Sequence, residues 1–395
     1  MDGKSTIKWN PFAPDYFNDP YPIYALCRQH NPIQKDSFGN ILLFKYRDIA
    51  PILDSTDFEV SSLVTYFESK ESYIFKNSPQ CPFLAKTTSK WLMYLNGDIH
   101  RKLRIALGKV LFSYDFDRLI QEAVKDSVNH FQDYQELDLV HFSKYFIFHI
   151  LGQFIGLKDF ASFEKVVEYS NLAARSQDIF VSKQMYLEIN QCFLWGKGLF
   201  SETGFKAKLV KELDGFEFEE DDYYSILAVT LMAFFETSKD NLALTLHSIL
   251  SNPSLKEYVL NADQKAIKLV SEECIRYTSP LQFTVRISKN EVIIHGQQFA
   301  ASTRFVLGIA SANRDEEIFE SPDEILPNRK VNPHLAFGAG AHLCLGALIA
   351  RKEMEFGLKP MVEFLQKFNI DSTQPLEWGN QIFMRTLERA MVKMH

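Results

Sequence analysis

The sequence lacks the features that mark membrane and secreted proteins. None of its 395 residues lie in an apolar run of the length, about 18 residues, that a membrane-spanning helix needs, and the first thirty contain no run typical of a signal peptide. The five cysteines are odd in number and scattered, and no C-x-x-C pair occurs, which disfavours a disulfide framework and a zinc site. We therefore expect a cytoplasmic protein without a membrane anchor, in a reducing compartment.

The sequence also lacks an excess of basic residues. The 43 Lys and Arg residues are outnumbered by 50 Asp and Glu, so the net charge of −7 disfavours a nucleic-acid-binding role. Glycine (17) and proline (15) are few and spread out, and no repeat, low-complexity tract or long linker interrupts the chain. Aromatic residues, by contrast, make up 14% of the sequence, which favours a bulky core, a bulky ligand, or both.

Helical periodicity dominates residues from about 98 to 275. The pattern predicts helices over residues 98–112 and 116–131. The longest predicted helix covers 221–251, begins with four acidic residues and stops before Pro253. At 1.5 Å per residue its roughly 30 residues would span about 45 Å, and its apolar middle predicts a central, buried helix.

Short strand patterns cluster at the two ends of the chain. Apolar runs next to turn signals predict strands over 41–45, 283–287 and 292–295. The region from about 280 to 346 is rich in strands and loops, and a helix follows from about 345 to 368. The sequence thus predicts a mainly α fold with minor β structure, organised as a single domain over residues 1–395.

A glycine-rich loop at residues 337–346, FGAGAHLCLG, contains Cys344 just before a predicted helix. Glycines permit tight turns and a close approach to a ligand, and a helix N-terminus stabilises a thiolate, so Cys344 is a candidate metal ligand or nucleophile. The loop matches F-G-x-G-x-H-x-C-x-G at all six fixed positions, and in this it resembles the haem-binding loop of the cytochrome P450 family. The resemblance implies that Cys344 is the axial iron ligand, in a fold whose long central helix lies over the haem and whose Cys loop lies on the proximal side. It also implies that the loop contacts the haem through Phe337, Gly338, Gly340 and Gly346.

Three further residues match the family in the expected order. Glu273 and Arg276 resemble its E-x-x-R helix, and Arg329 matches an arginine upstream of the Cys loop. Glu and Arg three residues apart share one helix face and can pair. In the family such a trio is buried and structural, and the resemblance implies that it holds the Cys loop in place.

Four residues match positions that bind the two haem propionates. His100 and Arg104 lie four residues apart on the first predicted helix and resemble the family's H-x-x-x-R unit. Arg286 and His342 match the other propionate-binding positions. Cationic and donor groups would neutralise two carboxylates, whereas the simpler interpretation of His100 and Arg104 alone is a pair on a solvated helix face.

The long helix contains residues 233–237, AFFET, which resemble the family pattern A-G-x-[DE]-T. The resemblance implies that Ala233 lies against the haem and that Glu236 and Thr237 help to deliver protons to iron-bound dioxygen. The alternative is that Glu236 and Thr237 are simply polar residues in a buried helix, with the threonine hydroxyl hydrogen-bonded to the backbone carbonyl one turn earlier.

Phe234 departs from the pattern, because it replaces the usual glycine. Its ring must either push the helix away from the haem or enter the distal pocket. We therefore hypothesise a narrowed pocket or an altered dioxygen cleft, and this substitution favours an unusual reaction.

Position in the family pattern also predicts the substrate pocket. Residues 61–91 are expected to cover it, with aromatic side chains at positions 66, 67, 73 and 75 that either contact an apolar ligand or pack within the cover. The residues expected to line the pocket are Thr230, Phe234, Leu281, Phe283, Ile382 and Phe383.

The resemblance implies a haem b monooxygenase that inserts one oxygen atom from dioxygen into a small apolar or aromatic substrate. Electrons would come ultimately from NAD(P)H through a ferredoxin or flavodoxin partner, and the cations expected to receive that partner are Arg101, Lys102, Lys109, Arg351 and Lys352. A role in bacterial secondary metabolism is expected, with a substrate that is free or carrier-tethered. The alternatives are different haem-thiolate chemistry (oxidative coupling, peroxide-driven oxidation or rearrangement) and a non-catalytic haem sensor or recruitment scaffold.

Overall fold

The computed structural model of the chain describes residues 7–74, 83–157, 162–178, 181–199 and 204–395. In this part of the chain the α-helices are α1 (Tyr21–His30), α2 (Tyr46–Asp54), α3 (Leu63–Ile74), α4 (Phe83–Thr88), α5 (Gly97–Leu111), α6 (Phe116–Phe131), α7 (Leu139–Leu151), α8 (Phe163–Arg175), α9 (Lys183–Leu199), α10 (Gly204–Glu212), α11 (Glu220–Leu250), α12 (Pro253–Asn261), α13 (Gln264–Thr278), α14 (Ile309–Ala312) and α15 (Ala347–Leu365). The strands are β1 (Ile33–Lys35), β2 (Ile41–Leu43), β3 (Phe58–Glu59), β4 (Glu136–Asp138), β5 (Phe283–Ser288), β6 (Val292–Ile294), β7 (Gln297–Phe299), β8 (Arg304–Gly308), β9 (Phe368–Ile370), β10 (Glu377–Trp378), β11 (Leu387–Arg389) and β12 (Met391–Met394). The chain is therefore mainly α with minor β, as the sequence predicts.

The predicted helices agree with the structure to within three residues at each end, and the differences have local causes. The predicted strand 41–45 ends at Leu43, because Lys45 is the extended residue that precedes α2. The predicted strand 292–295 stops at Ile294, because His295 has a φ of 52° and turns the chain into β7. The predicted helix 345–368 is shorter at both ends, since α15 runs from Ala347 to Leu365.

The chain folds as two compact units. Unit 1 contains the chain up to Glu59, Phe131–Phe142 and Asp240–His395, and unit 2 contains Val60–His130 and Ser143–Lys239. Helix α11 begins in unit 2 and ends in unit 1. That the whole chain forms a single domain stays a prediction.

Unit 1 is built on a five-stranded sheet with the strand order β1-β2-β8-β5-β3. Strands β2 and β8 are parallel, with Ile41 opposite Phe305, and the other pairs are antiparallel. The apolar side chains of Ile41, Leu43, Phe305 and Leu307 pack with those of α2 in a buried cluster. The sheet thereby holds β5, which carries Arg286, and α2 in fixed positions.

Unit 2 is helical in its described residues and has an aromatic core. The Trp91 ring is fully buried and lies 6.2 Å from the Phe193 ring, which contacts Tyr169 at 5.7 Å. The acidic start of α11 is neutralised by lysines, since Asp221 pairs with Lys197. The hydrogen bond from Lys197 is the main cause that lowers the pKa of Asp221. Anionic side chains at a helix N-terminus also interact favourably with the positive end of the helix dipole. These charges therefore stabilise the beginning of the long helix.

Candidate active site

The Cys loop is closed by hydrogen bonds between backbone groups in unit 1. The Cys344 N–H donates to the Phe337 carbonyl at 2.8 Å, and the Gly338 N–H donates to the Leu335 carbonyl at 2.8 Å. The Cys344 side chain is exposed and lies three residues before the first residue of α15. The loop therefore presents a sulfur atom beside a helix N-terminus, the environment that the sequence predicts for a ligating thiolate.

Two loop glycines differ in how strictly their positions need glycine. Gly340 has a φ of 64°, and a Cβ atom there would lie 2.7 Å from the Leu53 carbonyl oxygen at the end of α2. Gly346 has an ordinary φ of −81°, but a Cβ atom there would lie 3.9 Å from the Cys344 sulfur. Gly340 is thus needed for the turn and its close approach to α2, whereas Gly346 keeps the space beside the sulfur clear.

The structure brings Glu273, Arg276 and Arg329 together. The Arg276 Nη2 and Nε donate to the two Glu273 carboxylate oxygens at 2.8 and 2.9 Å, and Arg329 Nε donates to Glu273 Oε2 at 2.9 Å. The side chains of Glu273 and Arg276 are completely buried. Because a buried charge without a partner is costly, this group ties α13 firmly to the segment that precedes the Cys loop.

Arg286, on β5, is a buried cation in the same unit. Its residue is 6% exposed, and its guanidinium donates to the Val285 carbonyl at 2.8 Å and to Thr284 Oγ1 at 3.4 Å. It forms no ion pair with any residue that the structure describes. Burial lowers the pKa of Arg286 to about 10. A bound anion would compensate this charge, so the residue fits a haem propionate.

His100 and Arg104 lie on α5 in unit 2, and His342 lies in the short 3-10 turn of the Cys loop in unit 1. Burial, and then the positive charge of Arg104, lower the pKa of His100. Within the described part of the chain, no hydrogen bond or ion pair of the half-buried Arg104 guanidinium is found. Its donors therefore also fit a propionate.

The centre of α11 contains a hydroxyl and a carboxylate in different environments. Thr237 Oγ1 donates to the Ala233 carbonyl oxygen at 2.7 Å, which is the bond one turn back that the alternative interpretation expects. Glu236 Oε2 and Lys239 Nζ form an ion pair at 3.2 Å with side chains 3% and 2% exposed. Glu236 Oε1 has no hydrogen-bond partner among the described residues. This oxygen and the lone pairs of Thr237 are thus available to a ligand or water.

Phe234 turns its ring towards other aromatic side chains of unit 2. Its centroid lies 5.3 Å from that of Phe154 and 6.4 Å from that of Phe116, with the second pair stacked. Helix α11 stays continuous through this position. The contact with α6 and with the π-helical turn at Gly152–Gly156 is one that the sequence does not predict. The narrowed pocket stays a hypothesis.

The predicted pocket residues of unit 1 do not all lie in one environment. Leu281 pairs with Met384 in an isolated β-bridge, and the Gln282 N–H donates to the Phe383 carbonyl at 2.8 Å, so these two segments lie side by side. Phe283 instead belongs to the core, because it is 1% exposed and its ring lies 5.3 Å from the Trp9 ring. Phe283 thus packs in the core, and its predicted role in lining the pocket stays a prediction.

The predicted cover is joined to α9 within unit 2. The Tyr66 and Tyr186 hydroxyls are 2.9 Å apart, and the rings of Phe67 and Tyr186 are 6.1 Å apart. Thr230, further along unit 2, donates from its hydroxyl to the Ile226 carbonyl at 2.7 Å. Position 73 lies within α3, and position 75 lies outside the described part of the chain. The packing interpretation holds for Phe67, which is buried.

Two kinds of feature are absent from the described residues. No helix there is long and apolar enough to cross a membrane. No group of three or more His, Cys, Asp or Glu side chains there could hold a metal ion. In unit 1, the exposed Cys344 sulfur and the buried cation Arg286 suit a prosthetic group that brings its own equatorial ligands, as haem does.

Comparison with known proteins identifies the family. The sequence profile described as Cytochrome P450 matches residues 99–394. The Biotin biosynthesis cytochrome P450 of Bacillus subtilis is 24% identical over 92% of this chain and 94% of its own length. Cytochrome P450 119 of Sulfurisphaera tokodaii is 28% identical over 89% of this chain and 92% of its own length.

A solved structure agrees in fold. P450BioI, in complex with an acyl carrier protein ligated to hexadec-9Z-enoic acid, matches with a TM-score of 0.83 at 23% identity, covering 96% of this chain and 100% of that chain. The chain belongs to the cytochrome P450 family. It is accordingly an oxidoreductase of the P450 monooxygenase class, for which the family implies a haem cofactor.

The sequence leaves several residues of this region unassigned. Glu272, adjacent to Glu273, pairs with His334 and Arg351, two residues far away in the chain. Lys239 pairs with Glu236 within α11. A second glutamate in the E-E-x-x-R stretch, and a lysine three residues after the helix acid, were the signals that could have indicated these pairs.

Proposed function

We propose that Cys344 is the axial ligand of haem b and that the enzyme inserts one oxygen atom from dioxygen into a small apolar or aromatic substrate. The geometry of the Cys loop carries this proposal. The Cys344 sulfur is exposed, the Cys344 backbone N–H donates to the Phe337 carbonyl, and position 346 is a glycine. Haem bound through a thiolate supplies the redox chemistry that activates dioxygen. The protein supplies binding, orientation and protons.

The four propionate-binding residues have distinct properties. Arg286 and Arg104 supply positive charge that no described carboxylate neutralises. His100 and His342 supply ring nitrogens that can donate hydrogen bonds, and burial lowers the pKa of His100. We propose that Phe337, Gly338, Gly340 and Ala233 complete the haem contacts.

Glu236 and Thr237 are proposed to deliver protons. The Thr237 hydroxyl donates to the Ala233 carbonyl, so its oxygen is oriented to accept a hydrogen bond from water. The Glu236 carboxylate, held by Lys239, keeps one oxygen for the exchange of protons with water. An acid and a hydroxyl one residue apart on a helix can pass protons along a short chain.

The substrate and partner classes rest on relatives. A relative named for biotin biosynthesis and a solved complex with a loaded acyl carrier protein support a biosynthetic substrate, free or carrier-tethered. We propose that this biosynthesis belongs to bacterial secondary metabolism. We propose that electrons come from NAD(P)H through a ferredoxin or flavodoxin and that the enzyme acts in the cytoplasm. Most cations proposed to receive that partner already form ion pairs, since Asp98 pairs with Arg101 and Lys102, and Glu212 pairs with Lys109.

A Soret-band titration of the purified ferric protein tests the proposal. The ligand panel should contain fatty acids, terpenes, aromatic amino acids and carrier-tethered acyl groups. A blue shift with one class would identify the substrate class, because the ligand displaces iron-bound water. The Cys344→Ala variant is expected to lose the thiolate spectrum completely; an unchanged spectrum in this variant would contradict the assignment of the ligand.

A second candidate function is different haem-thiolate chemistry, and Phe234 in place of glycine favours it. The two candidates differ in the electron source. Turnover with a reductase and NAD(P)H that exceeds turnover with hydrogen peroxide supports oxygen insertion from dioxygen. The reverse order would support the peroxide-driven alternative.

A further inference from the structure

Glu272 lies beside Glu273 on α13 but has a different set of partners in unit 1. Arg351 Nε and Nη2, on α15, donate to the two carboxylate oxygens of Glu272 at 2.6 and 3.1 Å. The His334 Nε2 lies 3.1 Å from Glu272 Oε2. The carboxylate thus binds a forked guanidinium and an imidazole at once, and it joins two helices to the segment just before the Cys loop.

Both partners of Glu272 contact Phe337, the first residue of the Cys loop. The Arg351 guanidinium carbon lies 4.6 Å from the Phe337 ring centroid, within the range of a cation–π interaction. The His334 ring centroid lies 5.7 Å from the same ring. The Phe337 carbonyl in turn accepts the hydrogen bond of the Cys344 amide. A continuous series of contacts therefore leads from Glu272 to the residue that carries the sulfur.

The negative charge of Glu272 is compensated by the positive charge of Arg351. Burial raises the pKa of Glu272, but the hydrogen bonds from His334 and Arg351 outweigh it and bring the pKa to about 2. The His334 side chain is 3% exposed, whereas that of Arg351 is 41% exposed. Arg351 is therefore a partly exposed cation that already forms an ion pair with Glu272. This pairing argues against binding of a redox partner as the main role of Arg351.

We propose that Glu272, His334 and Arg351 are positioning residues that clamp Phe337 and thereby hold Cys344 in the geometry of a ligand. The clamp is separate from the group around Glu273, which binds Arg329 and the Leu326 amide further upstream. Glu273 also accepts a hydrogen bond from the Asn332 side chain at 3.2 Å, so the two adjacent glutamates of α13 hold the segment that leads into the Cys loop at several residues. This inference rests on the proposed role of Cys344 as the iron ligand.

The test measures how long the haem-loaded protein keeps its thiolate ligand. The readout is the decay, at a fixed temperature, of the Soret band that marks thiolate ligation in the ferrous carbon-monoxide complex, alongside the midpoint of thermal unfolding. The variants are Glu272→Gln and Arg351→Met, each of which leaves one charge of the clamp uncompensated. We expect the band to decay about fivefold faster or more than in the wild type, as the loss of about 1 kcal/mol implies.

The chain offers a matched control. Glu355, one turn after Arg351 on α15, accepts from Lys268 at 3.1 Å and from Gln264 at 2.8 Å, both on α13. Glu355→Gln removes an ion pair between the same two helices but leaves Phe337 untouched. We expect its band to decay at the wild-type rate even where its unfolding midpoint falls.

The outcomes separate this inference from the proposed function. Equal decay in Glu272→Gln, Arg351→Met and Glu355→Gln would overturn the clamp. A wild-type protein without the thiolate band would instead overturn the proposed role of Cys344. If Arg351→Met does not fold, Arg351→Lys decides by the same comparison, because lysine keeps the charge but loses the paired donors and the planar contact with Phe337. Decay between the rates of the wild type and Glu272→Gln supports the clamp, and decay at the wild-type rate contradicts it.

Discussion

At the scale of single residues, Phe234, which replaces the glycine of the family pattern, forms aromatic contacts that a glycine could not form. Its ring contacts those of Phe116 and Phe154 within unit 2. We predict that Phe234→Ala lowers the free energy of unfolding by about 3 kcal/mol, because it leaves a cavity in an aromatic cluster. A double-mutant cycle with Phe116→Ala should give a coupling of about 1 kcal/mol in urea denaturation.

The control for this prediction is Phe112→Ala, since the Phe112 side chain is half exposed, and it should change stability little. Additive effects of Phe234→Ala and Phe116→Ala would contradict the stacked contact. The same Phe234→Ala protein tests the narrowed pocket, because a wider range of ligands that shift the Soret band would support it and an unchanged range would not.

Thr237 gives a second prediction at this scale. Thr237→Ala should lower the amount of product formed per NAD(P)H consumed by about a hundredfold and release hydrogen peroxide, because it removes the hydroxyl that is proposed to help deliver protons. Thr237→Ser keeps an Oγ that can donate to the Ala233 carbonyl and should restore most of the coupling. A loss of stability in Thr237→Ala without any loss of coupling would leave Thr237 a purely structural residue.

At the scale of elements, the conformation of the Cys loop depends on its close approach to α2 at Gly340. We predict that Gly340→Ala destabilises the protein by about 1–2 kcal/mol or more, because an alanine there would be strained at a φ of 64° and would contact the Leu53 carbonyl at 2.7 Å. Gly346→Ala is the control, since its φ is ordinary and its Cβ atom would meet only the Cys344 sulfur at 3.9 Å. Urea denaturation should separate the two variants, and equal stability would contradict the required turn.

At the scale of the whole molecule, partly buried histidines couple stability to pH. Burial is the main cause that lowers the pKa of His149 and of His247 from the usual 6.5. The unfolded chain therefore binds protons that the folded chain does not, so the stabilising contribution is present above pH 6.5 and is lost as the pH falls through the lower folded values. We predict that the free energy of unfolding falls between about pH 7.5 and about pH 5.5.

The matching variant is His247→Gln, which removes one of these groups and should make the decrease less steep. Denaturation by urea at several pH values checks both statements. A free energy of unfolding that is constant over this range, or that rises as the solution becomes more acidic, would contradict the assignment.

Much of the fold follows from local patterns. The bounds of α6 follow from its periodicity, and those of α11 from its acidic start and from the proline that follows it. The Cys loop is read directly from the order of its glycines around Cys344. In contrast, the ends of β2 and β6 depend on whether the next residue starts a helix or a turn, which a short apolar run does not indicate.

The sequence by itself determined the mainly α class, the principal helices and the residue types of the candidate site, because periodicity and motif spacing are local properties of a chain. Only the tertiary structure decided that Glu272 pairs with Arg351, 79 residues away, that the Phe234 ring packs on Phe116, and that Phe283 lies in the core. Such pairs depend on which elements pack together and on which way each side chain turns. These are set by burial and charge compensation over the whole fold, since no short stretch of sequence contains both partners.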